Sequence, residues 1–136
     1  MYLFDTDFLI NLAKGDEGAL NFARKVEREM AFRAISVVTV HEYLLGTYFS
    51  YFKRKDKLNK MLRKAESDLM KFEIIPYTYR VAKKSSEIEA FLMKRGQVLG
   101  YNDIIIAATC LCYNLKLVTR NIKHFSQVPG LKIEVY

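Results

Sequence analysis

At 136 residues the chain is the size of one domain, long enough to bury a core without disulfides or a structural metal. Its composition, 51% hydrophobic and 13% aromatic with 6 glycines and 2 prolines, excludes a disordered, collagenous or low-complexity polymer. The formal net charge of +7 favours polyanionic partners, nucleic acid first, with an acidic protein or a membrane surface as alternatives.

In chain order, Tyr2 to Phe4 reads as a short strand ended by Asp5, with no basic leader before it. Phe8 to Leu12 has helical spacing and stops at Gly15, and Ala19 to Met30 is an amphipathic helix. Ile35 to Val38 reads as a second strand, followed by helices at Val40 to Phe52 and Leu58 to Phe72. Glu73 to Pro76 is a brief strand stopped by proline. A helix at Val81 to Met93 closes at Gly96, and Tyr101 to Tyr113 is a strongly apolar helix. Strands at Leu115 to Thr119 and Leu131 to Val135 complete the chain.

Strands alternating with helices imply one α/β domain over 1–136, a parallel sheet sandwiched by helices. The strands are continuously apolar, as strands covered on both faces are. No apolar run is long enough to span a membrane. Cys110 and Cys112 lie two apart in a helix, point to opposite faces and should not pair, which suits a reducing interior. The expected setting is soluble and cytoplasmic, with no membrane partner.

Ligands of open parallel sheets bind beyond the carboxyl ends of the strands. Asp5 follows the first strand and Glu42 the second, in the first turn of the next helix; Asn121 follows the fourth, and Asp103 opens the apolar helix that feeds it. Carboxylates gathered on one edge repel each other, and a hard divalent cation such as Mg²⁺ or Mn²⁺ relieves that repulsion. Each residue also has a plainer role. Thr39 and Glu42 have capping-box spacing. Asp5 is placed to cap a helix, Asp103 to favour a helix N-terminus, and Asn121 to form a turn.

Five blocks carry a family resemblance: Leu3-Phe4-Asp5-Thr6-Asp7-Phe8-Leu9-Ile10, Thr39-Val40-His41-Glu42-Tyr43-Leu44-Leu45-Gly46, Asn102-Asp103-Ile104-Ile105-Ile106-Ala107-Ala108-Thr109, Leu117-Val118-Thr119-Arg120-Asn121-Ile122-Lys123-His124-Phe125, and Val128-Pro129-Gly130-Leu131. In order and spacing they resemble the VapC-type PIN domain over nearly the whole chain. The resemblance implies a Rossmann-like α/β/α sandwich and a metal-dependent endoribonuclease, the toxin of a toxin–antitoxin pair. It implies that Asp5 and Asp103 are the principal ligands of Mg²⁺ or Mn²⁺, that Glu42 completes the site, and that Asn121 stands at a position often held by Asp. A neutral residue there weakens the case for a second metal. Asp7 also departs from the commoner neutral residue and is read as a helix cap.

On this reading a metal-activated water attacks an RNA phosphodiester, with Glu42 orienting or deprotonating it. Thr6 and Thr119 hydroxyls steady the carboxylates. Arg120 is a candidate phosphate contact or a plain surface arginine. His41 and His124 are expected to be structural, the latter in a His-Phe packing pair. Lys53, Lys57, Lys60 and Lys64 share a helical face opposite Leu58, Met61, Leu62, Ala65 and Leu69; they form either a solvated face or an RNA-binding patch. Tyr43, Leu44, Tyr48, Phe49, Tyr51 and Phe52 exceed what a core needs and suggest a protein-contact surface. The resemblance implies that a VapB-like antitoxin helix sits there and that the toxin forms a homodimer. The alternatives are a non-catalytic RNA-binding module on the same fold, a nuclease for DNA or flap structures, and a phospho-acceptor receiver domain. The last lacks the acid expected after its third strand, where Pro76-Tyr77-Thr78 stands.

Overall fold

The computed structural model describes all residues, 1–136. In order the elements are β1 (Tyr2–Phe4), α1 (Thr6–Ala13), α2 (Glu17–Arg28), β2 (Arg33–Ser36), α3 (Val37–Ser50), α4 (Lys55–Leu69), β3 (Glu73–Ile75), α5 (Tyr79–Lys94), α6 (Tyr101–Tyr113), β4 (Lys116–Val118), α7 (Ile122–Phe125) and β5 (Ile133–Glu134). All strand pairs are parallel, and the sheet order is β3-β2-β1-β4-β5. The chain builds outward from β1 to β3, then crosses back to lay β4 on the other side of β1. That reversal opens a crevice beyond the ends of β1 and β4, where a doubly wound sheet binds its ligands. A receiver domain has a different strand order, with β1 next to β3.

Alternation along the strands splits the core in two. Leu3, Ala34 and Leu117 face the α5–α6 side, with Ile88, Leu92, Ile104 and Ala108 packed in the same cluster. Tyr2, Phe4, Ile35 and Val118 face the other side, with Phe8, Leu9, Phe22, Val26 and Leu69. The second layer is largely aromatic: Phe4 and Phe8 have centroids 4.4 Å apart, and Phe22 meets Tyr2 edge-on at 5.4 Å. No buried side-chain polar atom lacks a hydrogen-bond partner.

The second strand ends earlier than the sequence suggests. Val37 and Val38 look like strand residues, but Ser36 turns the chain and its hydroxyl accepts from Val38 N–H at 3.2 Å. Helix α3 therefore starts at Val37. Glu42 lies in its second turn, not its first, and Thr39 is inside the helix, so the Thr39–Glu42 capping box does not form. Lys53 lies before α4, so it does not share the helical face of Lys57, Lys60 and Lys64. A further short helix, α7, follows Asn121 where no element was expected. No helix is long and apolar enough to cross a membrane.

Candidate active site

Phe4 and Val118 are register partners on neighbouring strands, so the next residues, Asp5 and Thr119, emerge side by side in the crevice. Asp5 is the N-cap of α1: its Oδ1 accepts from Phe8 N–H at 2.9 Å. Its Oδ2 accepts from the Thr119 hydroxyl at 2.5 Å, and that hydroxyl accepts in turn from Asn121 N–H at 3.0 Å. Capping thus accounts for one of the two oxygens. Asp5 is only 5% exposed. Burial, above all, lifts its carboxyl from 3.8 to about 6 against the pull of the Thr119 and Phe8 hydrogen bonds, and the charges of Asp7 and Asp103 add to the lift. Ionisation of this carboxyl thus costs more in the fold than in water, and a positive charge beside it would offset that cost.

Glu42 reaches the same region from α3. The Thr6 hydroxyl donates to its Oε1 at 2.6 Å and lies 3.1 Å from the buried Thr39 hydroxyl. Thr6 has a single proton, so its bond to Glu42 leaves it to accept from Thr39. Asp103 is the third residue of α6. Its Oδ2 lies 2.9 Å from His124 Nε2. Burial raises the Asp103 carboxyl, His124 opposes that, and the charges of Glu42 and Asp7 add to it. Asp5, Asp7, Glu42 and Asp103 therefore sit within one electrostatic field.

Asp7 is not the cap of α1, because Asp5 holds that place. It stands exposed in the first turn, where its charge falls on both Asp5 and Asp103.

No three His, Cys, Asp or Glu side chains stand close enough to grip one metal ion among themselves. Each acid is instead hydrogen-bonded to a partner of its own, Asp5 to Thr119, Glu42 to Thr6 and Asp103 to His124. The donor chemistry still suits a hard cation: carboxylate oxygens with no thiolate near, Cys110 and Cys112 being buried in α6. Mg²⁺ keeps several waters and needs only one or two protein carboxylates, so a spaced set fits a hydrated ion.

The other candidates are placed as follows. The Asn121 side chain is exposed and bonds to none of the acids. Arg120 is already engaged: its guanidinium pairs with Asp16 at 2.5 Å, donates to the Tyr136 carbonyl at 3.1 Å and lies 4.3 Å above the Tyr136 ring. A Cβ on Gly18 would come within 2.5 Å of that guanidinium, so glycine is needed for the close approach. Arg120 thus ties β4 to the start of α2, which counts against the phosphate contact. Lys57, Lys60 and Lys64 are exposed and form no ion pair. His124 is more than a packing element, since its ring holds Asp103. No local pattern marked this contact, since His124 lies in a helix of only four residues and Asp103 is 21 positions away.

A family model described as PIN domain matches residues 2–131. Ribonuclease VapC2 of Rickettsia felis is 32% identical over 101 residues, 74% of this chain and 72% of that protein. Ribonuclease VapC1 of Methanocaldococcus jannaschii is 31% identical over 134 residues, 98% of this chain and 85% of that protein. Among solved structures, VapBC2 from Rickettsia felis bound to a DNA fragment from their promoter superposes with a TM-score of 0.83 at 26% identity, over 99% of this chain and 98% of that one.

Proposed function

Because the chain belongs to the PIN-domain family, among the VapC ribonucleases, we propose that it is an endoribonuclease that hydrolyses RNA phosphodiesters with Mg²⁺ or Mn²⁺ at the Asp5–Glu42–Asp103 edge. The observation that carries this reading is Asp5, a carboxylate buried at the sheet's switch point and raised to about 6 by burial and neighbouring acids. Such a group lowers stability unless a cation uses it.

Asp5 and Asp103 would hold the metal, with Glu42 beside them. The cation, when bound, supplies an acidified water and charge neutralisation on the phosphoryl oxygens. Thr119 fixes the Asp5 carboxylate through its 2.5 Å bond, and Thr6 fixes Glu42 at 2.6 Å. With one oxygen so held, Glu42 keeps the other for a water proton. His124 orients Asp103 through its 2.9 Å contact with Oδ2. No side-chain nucleophile is called for.

For partners, we propose a VapB-like antitoxin and a second copy of the chain. Support comes from the VapBC complex that the fold superposes on and from α3, where Leu45, Tyr48 and Phe49 are 57%, 46% and 83% exposed, with Phe52, 74% exposed, just past its end. The i, i+3, i+4 spacing of the three helical residues makes one apolar stripe.

The test is incubation of purified chain with total RNA in Mg²⁺ or Mn²⁺, in EDTA, and beside Asp103→Asn. Cleavage is expected with metal alone and is lost in EDTA and in the variant. RNA binding without cleavage under either metal would favour the non-catalytic module, a reading for which the neutral Asn121 and the spacing of the acids speak.

A further inference from the structure

Beside Asp103, between the α5–α6 connection and α7, lies an open hollow of about 440 Å³ lined by Gln97, Asn121, Lys123, His124 and Gln127, with no hydrophobic residue among them. Two other surface hollows, one of about 490 Å³ between α2 and β3 and one of about 310 Å³ between α1, α2 and α4, each have six hydrophobic residues in the wall. The five side chains of the hollow beside Asp103 end in amides, an imidazole and an ammonium, carried on methylene stems that form much of the wall, so the hollow offers several polar groups to an anionic ligand.

Few of these groups are used by the protein. Gln97 and Asn121 side chains make no hydrogen bond within the chain, and Lys123 forms no ion pair. Gln127 donates from Nε2 to the His124 carbonyl at 3.0 Å and leaves its oxygen without a partner. His124 joins the hollow to the acidic edge, since it lines the one and touches Asp103 of the other. Carboxamides carry a donor and an acceptor in one plane, the pattern that pairs with base edges, and a lysine supplies a point charge for phosphate. An acid at position 121 would repel a phosphate there; asparagine does not.

We propose that this hollow is a nucleotide subsite of the RNA strand next to the bond being cut. Gln97, Asn121 and Gln127 read the base edge and Lys123 takes the phosphate. The inference rests on the ribonuclease reading for its place in the reaction. It commits to an unstacked nucleotide of single-stranded RNA, because base edges inside an A-form duplex are poorly accessible to side chains.

The experiment is fluorescence anisotropy in EDTA, where nothing is cut. The ligands are labelled RNA pentamers of A, C, G and U and a pentamer with abasic sugars. Wild type is expected to favour one base over the abasic strand by roughly tenfold, the discrimination of one good bidentate pairing. Gln97→Ala and Asn121→Ala should each bring the four bases toward the abasic value. Lys123→Gln should weaken all five strands alike by about 3- to 10-fold and flatten the salt dependence by less than one unit of slope. With Mg²⁺ or Mn²⁺ added, the sequence flanking the cut in mapped products should broaden in Gln97→Ala. A base ranking unchanged in both amide variants, or equal affinity of wild type for all five strands, would overturn the proposal. A base ranking that collapses in the variants, in a chain that cuts nothing with either metal, leaves the subsite standing and removes the nuclease reading instead.

Discussion

Helices α3 and α6 are alike in sequence and opposite in use. Each is apolar for most of its length and each delivers one acid to the same edge, Glu42 from α3 and Asp103 from α6. In α6, eight of 13 residues are buried, from Ile104 through Cys110 and then Cys112; in α3, Thr39 alone of 14 is buried. Helix α6 lies under the sheet and against α5, so its apolar side chains are the core and Asp103 inherits the rigidity of that packing. Helix α3 rests Val38, Val40, Tyr43 and Leu44 against the core, while Leu45, Tyr48 and Phe49 of its later half face solvent. Hydrophobicity of a helix therefore tells how much surface wants covering and not whether this chain covers it.

The largest expected effect lies where α6 meets chemistry. Asp103→Asn should lower kcat/KM on RNA by about 10³-fold, in the range removed with a group that positions metal or proton transfer, while the fold stays intact because Asp103 is only half-buried. Glu42→Gln keeps the Thr6 hydrogen bond but loses the charge, and should lower it less, by about 10²-fold. Steady-state cleavage of a single RNA substrate measures both, and equal retention of activity in the two would break the assignment of one shared site. Inside α6, Ile106→Ala removes a side chain that is 1% exposed. It should reduce unfolding free energy by about 2–5 kcal/mol, read by urea denaturation.

The fold and the acids were readable from the residues for different reasons. Parallel strands covered on both faces leave unbroken apolar runs, so β1, β2 and β4 could be placed; the strand ends then named Asp5 and Glu42, and the opening of the apolar helix named Asp103. Periodicity did not reveal where β2 ended, because Val37 and Val38 suit either state and the decision belongs to the Ser36 hydroxyl. Contacts between distant segments also carry no local mark. Arg120 engages Asp16 and Tyr136 across the fold. His124 reaches Asp103 from a helix of four residues, too short for a periodic signal. The burial of Asp5, which makes it a strained acid as well as a cap, depends on Thr119 arriving from 114 residues away.

Asp5 gives the next prediction by size. Folding raises its carboxyl from 3.8 to about 6, so between those values the folded chain holds a proton that the unfolded chain has lost. The ionised carboxylate therefore destabilises the metal-free fold fully above about pH 6, and that penalty fades as pH falls through 6 and is gone below 3.8. Asp5→Asn, which keeps an acceptor for Phe8 N–H, should stabilise the metal-free chain at pH 7.5 by about 1–3 kcal/mol. The gain over wild type should vanish by pH 4. Asp103 is raised as well and Asp16 is lowered, so the difference between wild type and variant, not the wild-type curve alone, isolates Asp5. Mg²⁺ should stabilise wild type more than Asp5→Asn, which keeps Asp103 and Glu42 but lacks the charge of Asp5. Thermal melts at both pH values, with and without metal, measure this; a variant less stable than wild type at pH 7.5 would mean that the carboxylate is there for structure.

The smallest change in stability should come from α3, and it sharpens the contrast with α6 most directly. Leu45→Ser with Phe49→Ser removes two apolar side chains that are 57% and 83% exposed in the single chain. Neither is in the buried core, so unfolding free energy of the isolated chain should move by no more than about 0.5 kcal/mol, the usual span for surface positions. If the stripe is where a partner covers α3, the same pair should weaken association by a large factor, because exposed apolar residues at the centre of an interface carry most of its energy. Sedimentation velocity across a concentration series reads this for the second copy of the chain. Wild type should sediment as a dimer at concentrations where the variant is monomeric. A monomeric wild type would leave the stripe to the antitoxin. A variant that dimerises as wild type does would place the dimer contact on another face, and α3 would then resemble α6 in nothing but composition.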